Sequence, residues 1–222
     1  MTVAGTLLSL QIGTIADTPA TGSDAWWDKP WSSGFRKSPV EQPIWLAYGG
    51  LRGDQQADPR HHGGADKAVC VYPSEHAPHW TALPELASLA PGGFGENFTT
   101  TGLLEENVCL GDLYHLGEAL VEVSQPRQPC WKLARRWRLK DLAARVEESG
   151  RTGFYFRVRR HGWVQRGQTF TLEARPFSQL TLALANQVMH HRQTDRDAAR
   201  QLAECPALSA SWKDALWARA TA

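Results

Sequence analysis

The sequence predicts a mainly β fold, a closed or nearly closed barrel with a few helices, carrying an appended α-helical unit at its C-terminal end. Three observations predict it. Up to about residue 170 the apolar runs are short, rich in β-formers and punctuated by Gly, Pro and Asp, which is the texture of many short strands. Only two stretches in that region carry helical spacing, and strands in such excess favour closure because a closed barrel has no exposed edges. Beyond Pro176 the texture changes to amphipathic helical runs.

Taken in order, the strand candidates are Val3–Ile12, Ile44–Ala47, Ala68–Tyr72, Val108–Leu110, Leu113–Leu116, Ala119–Ser124, Phe154–Val158 and Thr169–Glu173. Leu116-Gly117-Glu118 and His161-Gly162-Trp163 fall between such runs, where glycine can supply the positive φ of a hairpin turn. One helix is expected over Ser74–Leu83, after Pro73. Another is expected over Lys132–Ser149, where Leu133, Trp137, Leu139, Leu142 and Val146 recur near helical spacing and Gly150 stops the run. Three short helices fit Phe177–His190, Asp195–Ala203 and Ser211–Ala220, with Cys205-Pro206 breaking the last two apart. The expected units are residues 1–175 and residues 176–222.

Composition narrows the function classes. The 222 residues are 42% hydrophobic and 21% charged, so collagen-like repeats, coiled coil and long disorder are excluded. No run approaches the roughly 18 apolar residues of a membrane span, and the N-terminus lacks the basic start of a signal peptide. A cytoplasmic protein is expected. Lys and Arg number 24 against 23 Asp and Glu, a balance of +1 that offers no global field for nucleic acid or an anionic membrane. Any anion site must be local.

Four cysteines, Cys70, Cys109, Cys130 and Cys205, are widely separated and show no CxxC spacing, which argues against a disulfide framework or a zinc knuckle. Cys70 and Cys109 lie in apolar runs and Cys205 precedes a proline, so all three read as inert core or cap positions. Cys130 differs. It follows Pro126-Arg127-Gln128-Pro129, a stiff turn that leads into the helix expected from residue 132. A helix start and Arg127 both favour a thiolate, which suits a nucleophile or a soft-metal ligand; a small buried cysteine fits the same pattern.

Leading into the strand expected at Ala68 is a stretch dense in polar residues and glycine, Gly53–Ala68, which includes His61-His62-Gly63-Gly64-Ala65-Asp66-Lys67. Its adjacent histidines lack a third ligand at metal spacing, whereas the amides of Gly63 and Gly64 with Lys67 beyond them would form a small anion nest. Pro91-Gly92-Gly93-Phe94-Gly95-Glu96-Asn97 is glycine-rich but matches no nucleotide loop, leaving Glu96 and Asn97 as a polar tip that could face a ligand. Arg127, Lys132, Arg135, Arg136, Arg138 and Lys140 form a basic run that reads as a solvated helix face.

Six segments stand in an order that resembles YiiM-type MOSC-domain proteins, β-barrel modules related to the C-terminal part of molybdenum cofactor sulfurase. They are Ser33–Val40, Leu51–Asp58, His62–Val69, Phe94–Asn97, Gly111-Asp112 and Ser124–Cys130. The resemblance extends to Ser211-Trp212-Lys213 and covers nearly the whole chain. It implies a MOSC barrel followed by a three-helix domain, and a molybdenum cofactor (molybdopterin) in a barrel-mouth cleft with Cys130 as the molybdenum ligand. It also carries a family association with pyridoxal phosphate binding. Lys37, Gly63, Gly64, Lys67 and Arg127 are then candidates for the cofactor's phosphate, and His62 and Asn97 for its polar edges. The implied activity is reduction of N-hydroxylated small molecules such as 6-N-hydroxylaminopurine. No flavin, nicotinamide or iron–sulfur motif is recognisable, so electrons are expected from a separate reductase, a flavoprotein by class. No nucleic-acid or membrane partner is expected, and a homodimer is possible. Two rival readings stand beside this one, a sulfur carrier using a Cys130 persulfide and a cofactor carrier without turnover.

Overall fold

The computed structural model of the chain describes residues 2–221. Seven strands close into a barrel: β1 (Thr2–Ile12), β2 (Val69–Pro73), β3 (Phe98–Thr101), β4 (Leu113–Leu116), β5 (Ala119–Pro126), β6 (Phe154–Arg160) and β7 (Thr169–Ala174). Around the barrel the order is β1-β3-β2-β6-β5-β4-β7, and β7 pairs back onto β1. Every pair is antiparallel except β2–β3. A ring of seven cannot reverse direction at every step and still close, so one parallel pair is required. A parallel pair needs a crossover, and residues 74–97 provide it.

Side chains alternate along each strand. Val69, Val71, Phe154, Phe156, Tyr114 and Phe170 fill the central apolar cluster. Their strand neighbours Cys70, Tyr72 and Tyr155 therefore turn to the outer face. There a second cluster, including Tyr72, Trp80, Phe94, Leu133 and Val146, seats α2 (Ala77–Thr81), α3 (Trp131–Trp137) and α4 (Leu142–Ser149). A four-residue helix, α1 (Pro59–His62), begins after Asp58, whose side chain accepts from the His61 N–H.

At the C-terminal end α5 (Leu182–Asn186), α6 (Arg196–Ala203) and α7 (Ala210–Thr221) dock on the barrel. Leu182, Ala185, Trp212 and Leu216 share one apolar cluster with Val121 and Phe156. The Ser209 N–H donates to Ser124 O at 3.0 Å, and Asn186 Nδ2 to Thr152 Oγ1 at 2.9 Å. The helices expected after Pro176 are thus an addition to the barrel, yet their apolar face completes the barrel's own core.

Several local expectations change. The helix expected over Lys132–Ser149 breaks at Arg138, which takes a left-handed φ of 54° while its guanidinium lies 4.0 Å from the ring centre of Trp27. Val108–Leu110 forms no barrel strand. Cys109 makes a single bridge to Thr181, and Leu110 and Val108 bond to Leu180 and Leu182, so this segment holds the helical unit instead. Ser74–Leu83 is a 3₁₀ turn (Ser74–His76) followed by the short α2. The helix expected from Phe177 starts only at Leu182, where the Thr181 hydroxyl accepts from the Leu184 N–H, and it ends in a π-turn over Gln187–His191. β3 went unforeseen behind the glycine-rich run.

Of the two expected hairpins, Gly117 is confirmed: it has φ +55° and joins β4 to β5 in a two-residue loop. Gly162 instead opens a strand, Gly162–Val164, that pairs with Ile44–Ala47. A Cβ there would lie 2.6 Å from Glu118 Cβ, so close approach rather than positive φ requires glycine.

Candidate cofactor cleft

A cleft of about 620 Å³ opens against the outer wall of the barrel. Its floor is Cys70 on β2 and Tyr155 on β6, which are cross-strand partners. Segments 33–37 and 54–57 form one wall, His62 and Lys67 another, and Arg127–Lys132 the third, with Gly95 and Asn97 closing the end. Outward alternation of Cys70 and Tyr155 sets this cleft against the outer face of β2 and β6.

Six of the residues singled out in the sequence come together here: Lys37, His62, Lys67, Asn97, Arg127 and Cys130. Gly63 and Gly64 do not line the cleft, and the Gly63 N–H is already spent on Pro59 O at 3.0 Å. The anion nest expected from them is therefore not formed by Gly63. Asn97 is equally committed. Its Oδ1 accepts from the Cys70 N–H at 3.1 Å, and its Nδ2 donates to Asp54 Oδ2 at 2.9 Å, so its amide braces the wall.

Charge decides what the cleft can hold. Lys37 is paired with Asp54, leaving Arg127, Lys67 and Lys132 as cations that line the cleft without a carboxylate of their own there. Arg127 is buried, donates one bond from Nη2 to Phe94 O at 2.6 Å, and has no partner for Nη1. A buried guanidinium nitrogen left unpaired is costly, and an incoming anion would satisfy it. Burial, with Lys132 and Arg127 close by, pushes His62 down to about 4, so at neutral pH it is an uncharged imidazole. Burial lowers the pKa of Lys67 as well, while its Nζ donates to His61 O at 2.8 Å. Tyr155 holds its proton well above the usual phenol range because burial disfavours the phenolate. Cys70 is pushed up to about 11 by burial, and Cys130, half-exposed, is the accessible thiol.

Sequence reading missed Asp54, Cys70, Lys132 and Tyr155 as cleft residues. Lys132 was read as a surface cation, but it is 7% exposed and faces inward. In the rest of that run Arg138 and Lys140 are exposed, as the sequence predicts, while Arg135 and Arg136 are half-buried. Arg135 donates to Lys29 O at 2.6 Å, and Arg136 lies over the Phe35 ring, so these side chains clamp the 26–37 loop. An alternating apolar strand gave Cys70 and Tyr155 no signal of their own; only strand pairing and outward orientation reveal them.

The MOSC domain profile matches residues 58–171, and a YiiM-like three-helix domain profile matches residues 180–219. The chain belongs to the MOSC family. Among MOSC relatives, protein YflK of Bacillus subtilis is 43% identical over 82% of this chain and 81% of its own, and protein YiiM of Escherichia coli is 39% identical over 81% of each. A protein of Gibberella moniliformis named Reductase is 36% identical, matching 80% of this chain but 31% of its own length. The crystal structure of YiiM from Geobacillus stearothermophilus superposes with a TM-score of 0.79 at 36% identity, covering 97% of this chain and 99% of that one. MOSC domains are associated with molybdenum cofactor binding, and the cleft can be tested for that fit. Among the described residues no group of three or more His, Cys, Asp or Glu could hold a metal ion. A bare metal is therefore not served. A metal that brings its own sulfur ligands on an anionic carrier needs one soft protein donor and cations for its phosphate, and Cys130 with Arg127, Lys67 and Lys132 supplies both. As for membranes, no helix is long and apolar enough to cross one.

Proposed function

We propose that this MOSC protein holds a molybdenum cofactor in the β2–β6 cleft and reduces N-hydroxylated compounds, 6-N-hydroxylaminopurine and related bases among them. The observation that carries the reading is the conjunction of one accessible thiol, Cys130, with a buried guanidinium, Arg127, whose Nη1 awaits an acceptor. The reductive direction is supported by the name of the fungal relative, Reductase. The net change is R–NHOH + 2e⁻ + 2H⁺ giving R–NH₂ + H₂O, with the electrons drawn from a separate flavoprotein.

When bound, the cofactor supplies two-electron chemistry at a metal with affinity for oxygen. This chain's residues do the rest. Cys130 presents a sulfur donor at the end of the Pro129 turn, which fixes its backbone. Arg127, Lys67 and Lys132 offset the charge of the cofactor's phosphate. The neutral His62 can donate or accept a hydrogen bond without adding charge, and the protonated Tyr155 offers its O–H from the floor. Phe35 lines the cleft and packs with Phe94 in the outer apolar cluster, giving that side of the cleft an apolar surface. Four free cysteines suit a reducing cytosol.

The test is metal and pterin content of protein made in a host that synthesises the cofactor, followed by turnover of an N-hydroxylated base with a reduced dye. Near-stoichiometric molybdenum that is lost in Cys130→Ser, together with dye-driven N–O cleavage, is the expected result. Bound cofactor without turnover would make the protein a carrier. A Cys130 persulfide on metal-free protein would make it a sulfur-transfer protein.

A further inference from the structure

Beside the cleft, on the far side of α3, lies a groove lined by Trp26, Lys29, Trp131, Arg135 and Lys140. Trp131 is 52% exposed and Trp26 39%, large apolar area for a surface position. No carboxylate lines this groove. Of the acidic residues nearest in sequence, Asp28 is buried and accepts from the Thr21 and Ser23 N–H groups, Asp141 pairs with Arg145, and Asp24 stands exposed two positions before Trp26 but does not line the groove. The groove's lining is thus aromatic and positive on a chain whose overall balance is only +1.

Its position is as informative as its chemistry. Trp131 immediately follows Cys130, and the next residue, Lys132, lines the cleft while its ammonium stands 5.8 Å from the Trp131 ring centre. Trp131 also packs edge-on against Trp31, and Arg135 covers its other side at 5.0 Å, so the exposed ring is held rigidly. A rigidly held, exposed aromatic ringed by long cations can be desolvated by a partner at little entropic cost, the make-up of a binding hot spot with electrostatic steering.

We propose that this groove is the docking surface for the electron donor, an acidic flavoprotein. The inference rests on the reductase reading, in which two electrons must enter from a second protein and meet the two protons and the N–OH group balanced above. A negatively charged flavoprotein complements Lys29, Arg135 and Lys140, and seated on Trp26 and Trp131 it comes within one residue of the proposed metal ligand.

The experiment compares two donors to the cofactor-loaded protein: reduced flavodoxin, an acidic FMN protein, and reduced benzyl viologen, a small dye that needs no docking surface. The variants are the double substitution Lys29→Glu with Lys140→Glu, and Trp26→Ala, none of which lines the cleft. At low ionic strength the KM for flavodoxin is expected to rise about tenfold or more in the double variant, and the difference to shrink as salt is added. The viologen-driven rate should stay within about twofold. An unchanged KM for flavodoxin in the variants, or no salt-sensitive binding of flavodoxin to the wild-type protein, would overturn the docking assignment. Absence of viologen-driven turnover in the wild type would instead overturn the reductase reading, and direct binding of flavodoxin to the variants would still decide the surface.

Discussion

Lys37 Nζ lies 2.5 Å from Asp54 Oδ1, and the two side chains are only 6% and 2% exposed. Asp54 also accepts from the Gly13 N–H, Gln56 Nε2 and Asn97 Nδ2, so it ties four segments together at one wall of the cleft. Lys37, which the sequence offered as a phosphate cation, is thereby a structural pin. Replacing it with Met leaves a buried carboxylate with only neutral donors. Lys37→Met is expected to lower stability by about 3 kcal/mol in urea unfolding, and a loss under about 1 kcal/mol would show that the pair does not brace the wall.

Arg127 is the cation free to take an anion. Arg127→Met and Lys67→Ala should each weaken cofactor retention by about 1–3 kcal/mol, the worth of a charge-assisted hydrogen bond, read as pterin content after dialysis. Arg135 and Arg138 cannot serve as neutral surface controls because both hold the 26–37 loop. Arg166, exposed and paired only with Glu41, is the better control and should change retention little.

His62 carries a pH signature. Its usual value near 6.5 falls to about 4 in the folded protein, so between those values the unfolded chain binds more protons and stability falls as pH falls. The contribution is fully present above about 6.5 and lost as pH drops through about 4. Because the ring is partly exposed, solvent screening trims the effect to about 1–2 kcal/mol. Unfolding measured at pH 7.5 and pH 4.5 should show a steeper loss in the wild type than in His62→Gln. The His62 proton resonance, identified by its absence in His62→Gln, would contradict the assignment if it titrated near 6.5.

Thiol chemistry separates the four cysteines. Cys70, Cys109 and Cys205 are buried, and burial raises the pKa of each. Brief iodoacetamide treatment of the folded, cofactor-free protein should label Cys130 at least about tenfold faster than the others, as read by peptide mass. Loading the cofactor should protect it. Fast labelling of Cys70 would mean that the floor of the cleft is open to solvent.

Barrel and terminal helices share one core through Trp212, which is completely buried against residues of both. Trp212→Ala is expected to cost about 3–5 kcal/mol, and both parts should unfold in one transition followed by far-ultraviolet circular dichroism and tryptophan fluorescence. Two separated transitions would show instead that residues 1–175 and 176–222 are independent.

By itself the sequence determined the β-rich barrel, the helical texture after Pro176, and the singular setting of Cys130 between a proline turn and a helix. These are local matters: strand alternation, turn glycines and proline are written in neighbouring residues. It also named six of the cleft residues through segments that lie far apart in the chain. Tertiary structure alone decided which cations are free. Lys37 is neutralised by Asp54, seventeen positions away, and Lys132 turns inward although its neighbours on α3 spread over a loop more than a hundred residues earlier. It alone placed the site on the barrel's wall, since Cys70 and Tyr155 become a floor only when β2 and β6 pair and their alternation points both side chains outward. Pairing, burial and desolvation are properties of distances between residues, and those distances exist only once the barrel has closed.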